Sequence, residues 1–465
     1  MTLDFFYDVI IGGGGNAALV AAITACERNK KVLLLTKDPY EQRGGHTRYT
    51  ECFIFAHDEG WHGLKGYSES EYLSDIKKAS KGANLELAEY VVKNSRKAAD
   101  FVETHGIRWQ EDYLLRQGGS YFKQKISKQI RLEIVGGGTG LVNHYYHYLE
   151  NLNKEKGSCK VLYDAEIVKI NVENKRFKSV EVIIKKSDKK TFYGNNLILA
   201  TGGFESNFEL LKKIFGNKFD YLIFRGEKMN TGLPLFEMIK NGAATVGKLT
   251  DLETHPIVDA RMPKVDGGVC ARARCIPYSI VVNKNVERIF DEGNYAEGLT
   301  EVTYTKLLLE QPEGRAYAIF DSSSLGKLGK RQASPFIEDY TIEGLAKKIN
   351  IDPDKLLKVI NDFNLSIKVQ GGYTVGIDPP KSRNAFPIVN PPFYACPLAP
   401  GFSFTRYGLK VDKTSRVLTE KGDTFENIFA AGTIMVGNIL SEDQYLDCLG
   451  LLNGTVFGMT AGENI

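Results

Sequence analysis

A run of four consecutive glycines near the start of the chain, at residues 12–15, constrains its fold more than any other stretch. Apolar residues 9–11 precede the glycines and are typical of a buried strand, and residues 16–23 follow with the composition of a helix. A second apolar run, at residues 31–35, comes at the distance expected for the next parallel strand. The stretch therefore predicts a βαβ unit, the building block of a doubly wound α/β sheet.

The same stretch contains a G-x-G-x-x-A pattern at Gly13, Gly15 and Ala18. In a nucleotide-binding turn the first glycine permits the sharp bend, and the second lets the backbone approach a pyrophosphate. The small third residue lets helix and strand pack closely, while the helix N-terminus presents N–H groups to phosphate. We therefore predict a dinucleotide site, the alternative being a plain glycine-rich turn in another α/β sheet.

The end of the second predicted strand departs from the usual nucleotide-binding pattern. An acidic residue there ordinarily binds a ribose hydroxyl, whereas this chain has Thr36 and Lys37. A loop containing Gly44 and Gly45 follows directly. Because its glycines permit close backbone approach, we expect this loop to run along the bound dinucleotide.

Length and composition narrow the class of protein. The chain has 465 residues, which predicts two domains or one domain with an insertion. Its 43% hydrophobic and 25% charged residues are ordinary for a globular protein, and its net charge of +3 does not indicate a nucleic-acid partner. The N-terminus lacks the pattern of a signal peptide, and no run of about 18 apolar residues predicts a membrane span. We therefore expect a cytoplasmic protein.

The seven cysteines are dispersed and form no C-x-x-C pair or iron–sulfur spacing. The two that lie closest in sequence, Cys270 and Cys275, are expected to be free thiols in a reducing cytoplasm. No metal site is predicted.

Two distant apolar segments end in small residues, one at residues 196–203 and the other at residues 428–433. Such endings suit two strands of one doubly wound sheet whose ends face a common ligand. A further glycine turn, at residues 136–140, precedes a predicted helix over residues 141–149. Its role is left open between ligand contact and a simple loop.

Seven short stretches, taken in order, resemble the flavoprotein family of succinate dehydrogenase and fumarate reductase. They are GGGGNAA, LLTK, RGGHT, ILATGG, NTG, THP and IFAAG. Within that family, the chain most resembles the tricarballylate dehydrogenase group. The resemblance implies a Rossmann-like FAD-binding domain made of residues 1–247 and 401–465, with an inserted α+β capping domain at residues 248–400. Substrate would lie between cap and flavin.

The resemblance and the turn pattern together give a set of predicted FAD contacts. These are Gly13, Gly15, Asn16, Ala17, Ala18, Thr36, Lys37, Gly44, Gly45, His46, Thr47, Glu166, Ala200, Thr201, Gly202, Gly432 and Leu451. His46 aligns with the histidine that carries FAD covalently in succinate dehydrogenases. Covalent attachment at His46 and non-covalent FAD beside it both stay open.

The catalytic groups match the family less well. His255, in a Thr-His-Pro sequence, matches a family histidine that contacts the substrate carboxylate, although a structural role is the alternative. Thr300 falls where the tricarballylate group would carry an arginine. The proton-transfer arginine of the family is therefore missing from its expected place.

Other residues offer replacements for these groups. Arg406 is a candidate anion ligand, and Tyr407 and Tyr445 are candidate proton-transfer residues. Arg272 and Arg274 are candidates to line the cap side of the site. Each has a plain alternative as a structural or surface residue.

The implied activity is that of an FAD-dependent oxidoreductase, acting as dehydrogenase or reductase. It would transfer hydride at flavin N5 to or from a carbon–carbon bond next to a carboxylate or carbonyl of a small organic acid. The sequence has no haem or cluster motif, so the resemblance implies a separate electron acceptor or redox partner besides the small-molecule substrate. The alternatives are an enzyme acting on a cyclic or steroid-like enone and an electron-transfer subunit without its own turnover.

Overall fold

The computed structural model describes residues 6–50, 52–61, 65–111, 132–252, 257–265, 272–295, 300–328, 334–441, 445–446 and 448–465. Its helices are α1 (Asn16–Glu27), α2 (Glu69–Ala79), α3 (Leu85–Lys93), α4 (Ser95–Thr104), α5 (Gly137–Lys156), α6 (Phe208–Phe215), α7 (Leu233–Lys240), α8 (Glu301–Leu309), α9 (Ile342–Lys348), α10 (Pro353–Ser366) and α11 (Leu449–Glu463). Its strands are β1 (Phe6–Gly12), β2 (Val32–Leu35), β3 (Cys52–Phe53), β4 (Trp109–Glu111), β5 (Leu132–Ile134), β6 (Cys159–Leu162), β7 (Ala165–Glu173), β8 (Arg176–Ile184), β9 (Asp188–Leu199), β10 (Ile223–Phe224), β11 (Thr245–Val246), β12 (Ile257–Asp259), β13 (Ile280–Asn283), β14 (Ala316–Asp321), β15 (Ile337–Asp339), β16 (Phe393–Phe402), β17 (Gly408–Leu409), β18 (Arg416–Leu418) and β19 (Thr424–Ala430).

The predicted βαβ unit is confirmed, and it lies at the centre of the larger sheet. Strand order in that sheet is β18-β19-β9-β1-β2-β6, and the run from β19 to β6 is parallel. Strands β1 and β2 are almost wholly buried, which is typical of the central strands of a parallel sheet. The fold is therefore the α/β, doubly wound arrangement expected from the sequence.

The two distant segments with small-residue endings meet in this sheet, as predicted. They form β9 and β19, which pair in parallel with Ala430 opposite Leu199, while Leu199 also lies opposite Gly12 of β1. The carboxyl ends of these strands therefore open on one edge of the sheet. The first half of β9 forms an antiparallel ladder with β8, whose turn contains Lys185 and Lys186.

A second sheet is built around the long strand β16, which pairs with β10, β12, β14 and β15. Most of its described apolar residues form three clusters separate from the main core, and α9 and α10, both predicted from their amphipathic pattern, contribute to one of them. Strands β11 and β17 pair where the chain leaves and re-enters the main part of the molecule. The proposed boundaries at residues 247/248 and 400/401 stay predictions.

The glycine turn at residues 136–140 serves to pack two parts of the backbone together. Gly138 donates its N–H to the Thr50 carbonyl at 2.8 Å, and a Cβ at Gly138 would come within 1.8 Å of the Thr47 carbonyl oxygen. Helix α5 then runs to Lys156, beyond the predicted end. Among the described helices, none is long and apolar enough to cross a bilayer.

The prediction of a free thiol is confirmed for Cys275, which is buried, whereas Cys270 lies outside the described residues. Cys52 and Cys448, however, are joined by a disulfide across a sequence separation of 396 residues. This pairing depends on the packing of α11 against β3, so the sequence spacing of the cysteines could not reveal it.

Candidate cofactor and substrate site

A long cleft lies at the carboxyl ends of the central strands and encloses about 1670 Å³ including its open mouth. One wall is the glycine turn between β1 and α1, and another is the end of β2 together with the start of β7. Arg272 reaches the cleft from the segment that bridges to β12 in the second sheet. The cleft therefore lies where the two sheets meet, at the position where doubly wound sheets bind their ligands.

The glycine turn has the geometry of a dinucleotide cradle. Gly13 has φ +125°, and a Cβ there would lie 2.2 Å from the Ala200 carbonyl oxygen at the end of β9. Helix α1 starts at Asn16 without a side-chain cap or an acidic residue in its first turn. The Asn16 N–H is bound to Thr47 Oγ1, and the N–H groups that follow it in the first turn are suited to bind a phosphate.

Two buried polar atoms in the cleft wall support the presence of a ligand there. The Asn16 Oδ1 and Thr201 Oγ1 atoms are buried and have no hydrogen-bond partner within the described part of the chain. Asn16 is itself held firmly, because its Nδ2 donates to Thr455 Oγ1 at 2.9 Å and to the Leu451 carbonyl at 3.3 Å. Both unpaired oxygens would accept hydrogen bonds from a bound cofactor, so the residues present fit a dinucleotide.

The acidic group absent from the end of β2 is supplied by another strand. Lys37 Nζ lies 2.8 Å from Glu166 Oε1 on β7 and also donates to Thr231 Oγ1 at 3.3 Å. Thr36 is buried, and its Oγ1 accepts from the Asp38 N–H at 3.2 Å. Glu166 thus brings a carboxylate to this end of the cleft, and its contact with the cofactor stays a prediction.

Asp38 holds the glycine loop against the cleft. Its Oδ2 accepts the N–H of Gly44 at 3.2 Å and of Gly45 at 3.0 Å, and burial raises the pKa of this carboxyl to about 6. Thr47 then accepts the Asn16 N–H through its Oγ1 at 2.8 Å. The loop is therefore fixed to the glycine turn and to Asp38, three residues past the end of β2.

His46 lies at the other side of this loop among aromatic rings. Its ring centroid is 5.4 Å from that of Phe404 and 5.8 Å from that of Tyr49, both at edge-to-face angles. All three side chains belong to residues that line the cleft.

Acid precipitation of the holoprotein distinguishes covalent from non-covalent attachment of FAD. Non-covalent FAD stays in the supernatant, whereas FAD linked at His46 goes to the pellet.

Two buried carboxyl groups support the cleft from behind. Glu227 Oε2 accepts from Arg48 Nη2 at 2.7 Å, and its Oε1 accepts from the Met229 N–H at 3.2 Å. Glu205 accepts from Asn230 Nδ2 at 2.6 Å, and complete burial raises the pKa of Glu205 to about 7. These hydrogen bonds fix the segment that carries Met229 and Asn230, both of which line the cleft.

Most of the predicted cofactor residues come together in this cleft. Those that line it are Gly13, Gly15, Asn16, Ala17, Thr36, Lys37, Gly45, His46, Thr47, Glu166, Ala200, Thr201, Gly202, Gly432 and Leu451. Ala18 is fully buried behind the turn, and Gly44 contacts Asp38 next to the lining.

The predicted catalytic residues are more scattered. Tyr445 and the cap-side candidate Arg272 line the cleft. Arg406 is 1% exposed, and neither Arg406 nor Tyr407 is among the residues that line the cleft. The Arg406 N–H binds the Asp251 carbonyl at 2.8 Å. The roles predicted for Arg406 and Tyr407 therefore gain no support from the lining of the cleft.

The remaining positions considered for catalysis are His255 and Thr300. His255 lies outside the described residues, and its role stays a prediction. Thr300 precedes α8 and donates to the Asn294 carbonyl at 3.3 Å, away from the lining of the cleft.

Several lining residues were missed from the sequence, notably Arg225, Asn230 and the pair Cys52 and Cys448. Arg225 follows the two-residue strand β10, which has no distinctive pattern. The Asn-Thr-Gly sequence at residues 230–232 is one of the stretches that resemble the family. Its place in the cleft depends on the hydrogen bond between Asn230 and Glu205, which no local sequence pattern indicates.

Comparisons with known proteins agree with this geometry. The family described as FAD binding domain matches residues 8–439. NADH:fumarate oxidoreductase of Klebsiella pneumoniae (strain 342) is 24% identical over 477 residues, covering 98% of this chain and 47% of that protein. The chain thus spans about half the length of the first curated relatives it matches.

Solved structures show the same fold at low sequence identity. A flavocytochrome c3 fumarate reductase in an open conformation aligns with a TM-score of 0.76 and 20% identity, covering 99% of this chain and 78% of that chain. The 3-ketosteroid-Δ4-(5α)-dehydrogenase of Rhodococcus jostii RHA1 aligns with a TM-score of 0.75 and 18% identity, covering 99% and 97%. With the glycine cradle and the family match, these findings identify FAD as the cofactor of the cleft. The chain belongs to the FAD binding domain family.

Proposed function

We propose that this chain is an FAD-dependent oxidoreductase acting on a carbon–carbon bond next to a carboxylate or carbonyl of a small organic acid. FAD supplies the redox step through its N5 position, and the protein supplies orientation, charge and a path for the proton. The proposal rests on family membership and on the charged groups that face the cleft.

The observation that carries the proposal is the placement of Arg272. This arginine comes from the side of the second sheet, where it bridges to Val258, yet it lines the same cleft as the FAD cradle. Arg225, which is 4% exposed, lines the cleft as well. Guanidinium groups match carboxylates in geometry, and they stabilise negative charge that develops next to a reacting bond.

Tyr445 is the proposed proton-transfer group, since it lines the cleft and its hydroxyl can donate or accept. His255 stays a proposed carboxylate ligand. The names of two relatives, NADH:fumarate oxidoreductase and flavocytochrome c3 fumarate reductase, favour an unsaturated dicarboxylate as substrate. Tricarballylate-like acids, suggested by the sequence resemblance, fall within the same proposal.

An enone substrate is the second candidate, and it is favoured by the aromatic side chains of the cleft. Phe404, Tyr49 and Tyr445 all line it, as would suit a flat apolar ring. The dehydrogenase of similar fold is named for 3-ketosteroids, and its structure contains the enone 4-androstene-3,17-dione. The two candidates differ in whether Arg272 is needed to hold the substrate.

An anaerobic steady-state assay tests the proposal. Reduced methyl viologen supplies electrons, and the panel contains fumarate, other unsaturated mono-, di- and tricarboxylic acids and a steroid enone, with products identified by mass spectrometry. The same acids in saturated form are tested with an artificial electron acceptor. Turnover of an acid supports the proposal, turnover of the enone alone supports the second candidate, and turnover of neither by FAD-loaded protein favours an electron-transfer subunit.

A further inference from the structure

We propose that the Cys52–Cys448 disulfide is a second two-electron redox centre, which exchanges electrons with the FAD bound in the same cleft. The bond joins residues whose Cα atoms lie 6.1 Å apart, and both cysteines line the cleft. The proposal requires only bound FAD and does not depend on which substrate the protein converts.

The neighbours of the disulfide place it in the wall of the cofactor site. Tyr49 and Thr50, just before Cys52, line the cleft, and Gly450 and Leu451 do so just after Cys448. Leu451 also accepts a hydrogen bond from Asn16, the first residue of α1. Both cysteines thus belong to segments that contact the glycine cradle or the loop carrying His46.

Burial limits what can react with this bond. Cys52 is 7% exposed and Cys448 is 5% exposed, and both cysteines line the cleft, so a reductant bound in the cleft has a route to the disulfide. Reduced flavin bound in the same cleft would supply the two electrons.

The other described cysteines make a useful contrast. Cys26, Cys159, Cys275 and Cys396 are free and buried, and none of these four lines the cleft. The disulfide therefore joins the two described cysteines that share the cofactor site. This selectivity distinguishes the pair from a random pairing of buried thiols.

The exchange balances in atoms and electrons. The S–S bond breaks as it takes two electrons and two protons, and two thiols form, while the reduced flavin that supplies them returns to its oxidised state. The reverse reaction re-forms the disulfide and reduces the flavin. Because both groups carry electrons in pairs, the fully reduced holoprotein would store four electrons per FAD.

An anaerobic dithionite titration of the holoprotein measures this capacity. We expect four electrons per FAD in the wild-type protein and two in Cys52→Ser and, independently, in Cys448→Ser. The matched control, Cys275→Ser, removes a buried free thiol away from the cleft and should still take up four. Uptake of two electrons by the wild-type protein would overturn the proposal.

Thiol labelling gives a second readout on the wild-type protein alone. The flavin is reduced by light in the presence of EDTA, so that electrons enter through the flavin, and the protein is then unfolded in iodoacetamide and analysed by mass spectrometry. We expect Cys52 and Cys448 to be labelled only after flavin reduction. Labelling before reduction would show that no disulfide exists, and no labelling after complete reduction would show a purely structural bond; either result refutes the proposal.

Discussion

The ammonium group of Lys37, two residues past the end of β2, lies 2.8 Å from a carboxylate oxygen of Glu166 on β7. Thr36 and Lys37 follow β2 at the position where nucleotide-binding strands usually have an acidic residue. Glu166 brings a carboxylate to that position, and both Lys37 and Glu166 line the cleft.

Replacing this carboxylate should weaken cofactor binding. Glu166→Gln removes a charged hydrogen-bond acceptor, and we expect the Kd for FAD to rise roughly tenfold, since such a hydrogen bond contributes about 1.5 kcal/mol. Flavin fluorescence quenching during titration of apoprotein measures the Kd. The matched control is Glu181→Gln, whose carboxylate pairs with Lys189 on the neighbouring hairpin away from the cleft. Equal affinity in both variants would exclude Glu166 as a cofactor ligand.

The glycine turn offers a test of the cradle itself. Gly13→Ala would force a Cβ to within 2.2 Å of the Ala200 carbonyl at a φ of +125°. We expect the free energy of unfolding to fall by about 2 kcal/mol or more, with loss of bound FAD. Gly326→Ala, where the added Cβ meets nothing within 4 Å, should change stability by less than about 0.5 kcal/mol. Similar denaturation midpoints for the two variants would contradict this geometry.

The features that the sequence predicted are those that depend on residues close together in the chain. The βαβ unit and its glycine turn were predicted because strand, turn and helix are each specified by neighbouring residues, as Gly13 and Ala18 illustrate. The disulfide between Cys52 and Cys448 and the entry of Arg225 into the cleft depend on packing between distant segments. No local pattern encodes such contacts.

The catalytic residues show the same limit. Arg406 was predicted because the family resemblance places residues 404–408 near the flavin, and Phe404 of that segment does line the cleft. Arg406 is buried and does not line it. Arg272 and Arg274 were both candidates to line the cap side of the site, and in the structure Arg272 lines the cleft whereas Arg274 does not.

Burial of Glu205 predicts a specific dependence of stability on pH. Its pKa is about 7 in the folded protein against an ordinary 4.5, because desolvation disfavours the carboxylate. The folded state therefore keeps a proton that the unfolded state loses, and the stabilisation present below pH 4.5 is lost as the pH rises to about 7. The contribution amounts to about 3 kcal/mol across that window.

The variant Glu205→Gln should remove this dependence while keeping the acceptor for Asn230. Urea denaturation of the holoprotein at several pH values between 4.5 and 7 measures how the free energy of unfolding depends on pH. We expect the wild-type free energy of unfolding to fall more steeply with pH than that of the variant. Parallel curves would show that Glu205 is ionised throughout.

Arg272 distinguishes an acid substrate from an enone. If Arg272 holds a carboxylate, Arg272→Ala should raise KM for an unsaturated acid by about tenfold or more, because a charged hydrogen bond is lost. Arg272→Lys keeps a positive charge and should raise KM less than Arg272→Ala does. Arg274→Ala serves as the matched control, because Arg274 lies two residues further on and does not line the cleft. Equal KM values for the alanine variants and the wild-type protein would exclude a substrate-binding role for Arg272.

The most direct test of the account is a single-turnover experiment on the reduced holoprotein. Photoreduced protein is mixed anaerobically with fumarate or another small unsaturated carboxylic acid, and flavin absorbance is followed in a rapid-mixing instrument. The account predicts that at least one such acid reoxidises the flavin, with a rate that saturates with acid concentration, and that Arg272→Ala shifts this saturation to higher concentration. Flavin that stays reduced with every acid, while oxygen or a small artificial acceptor reoxidises it, would contradict the account.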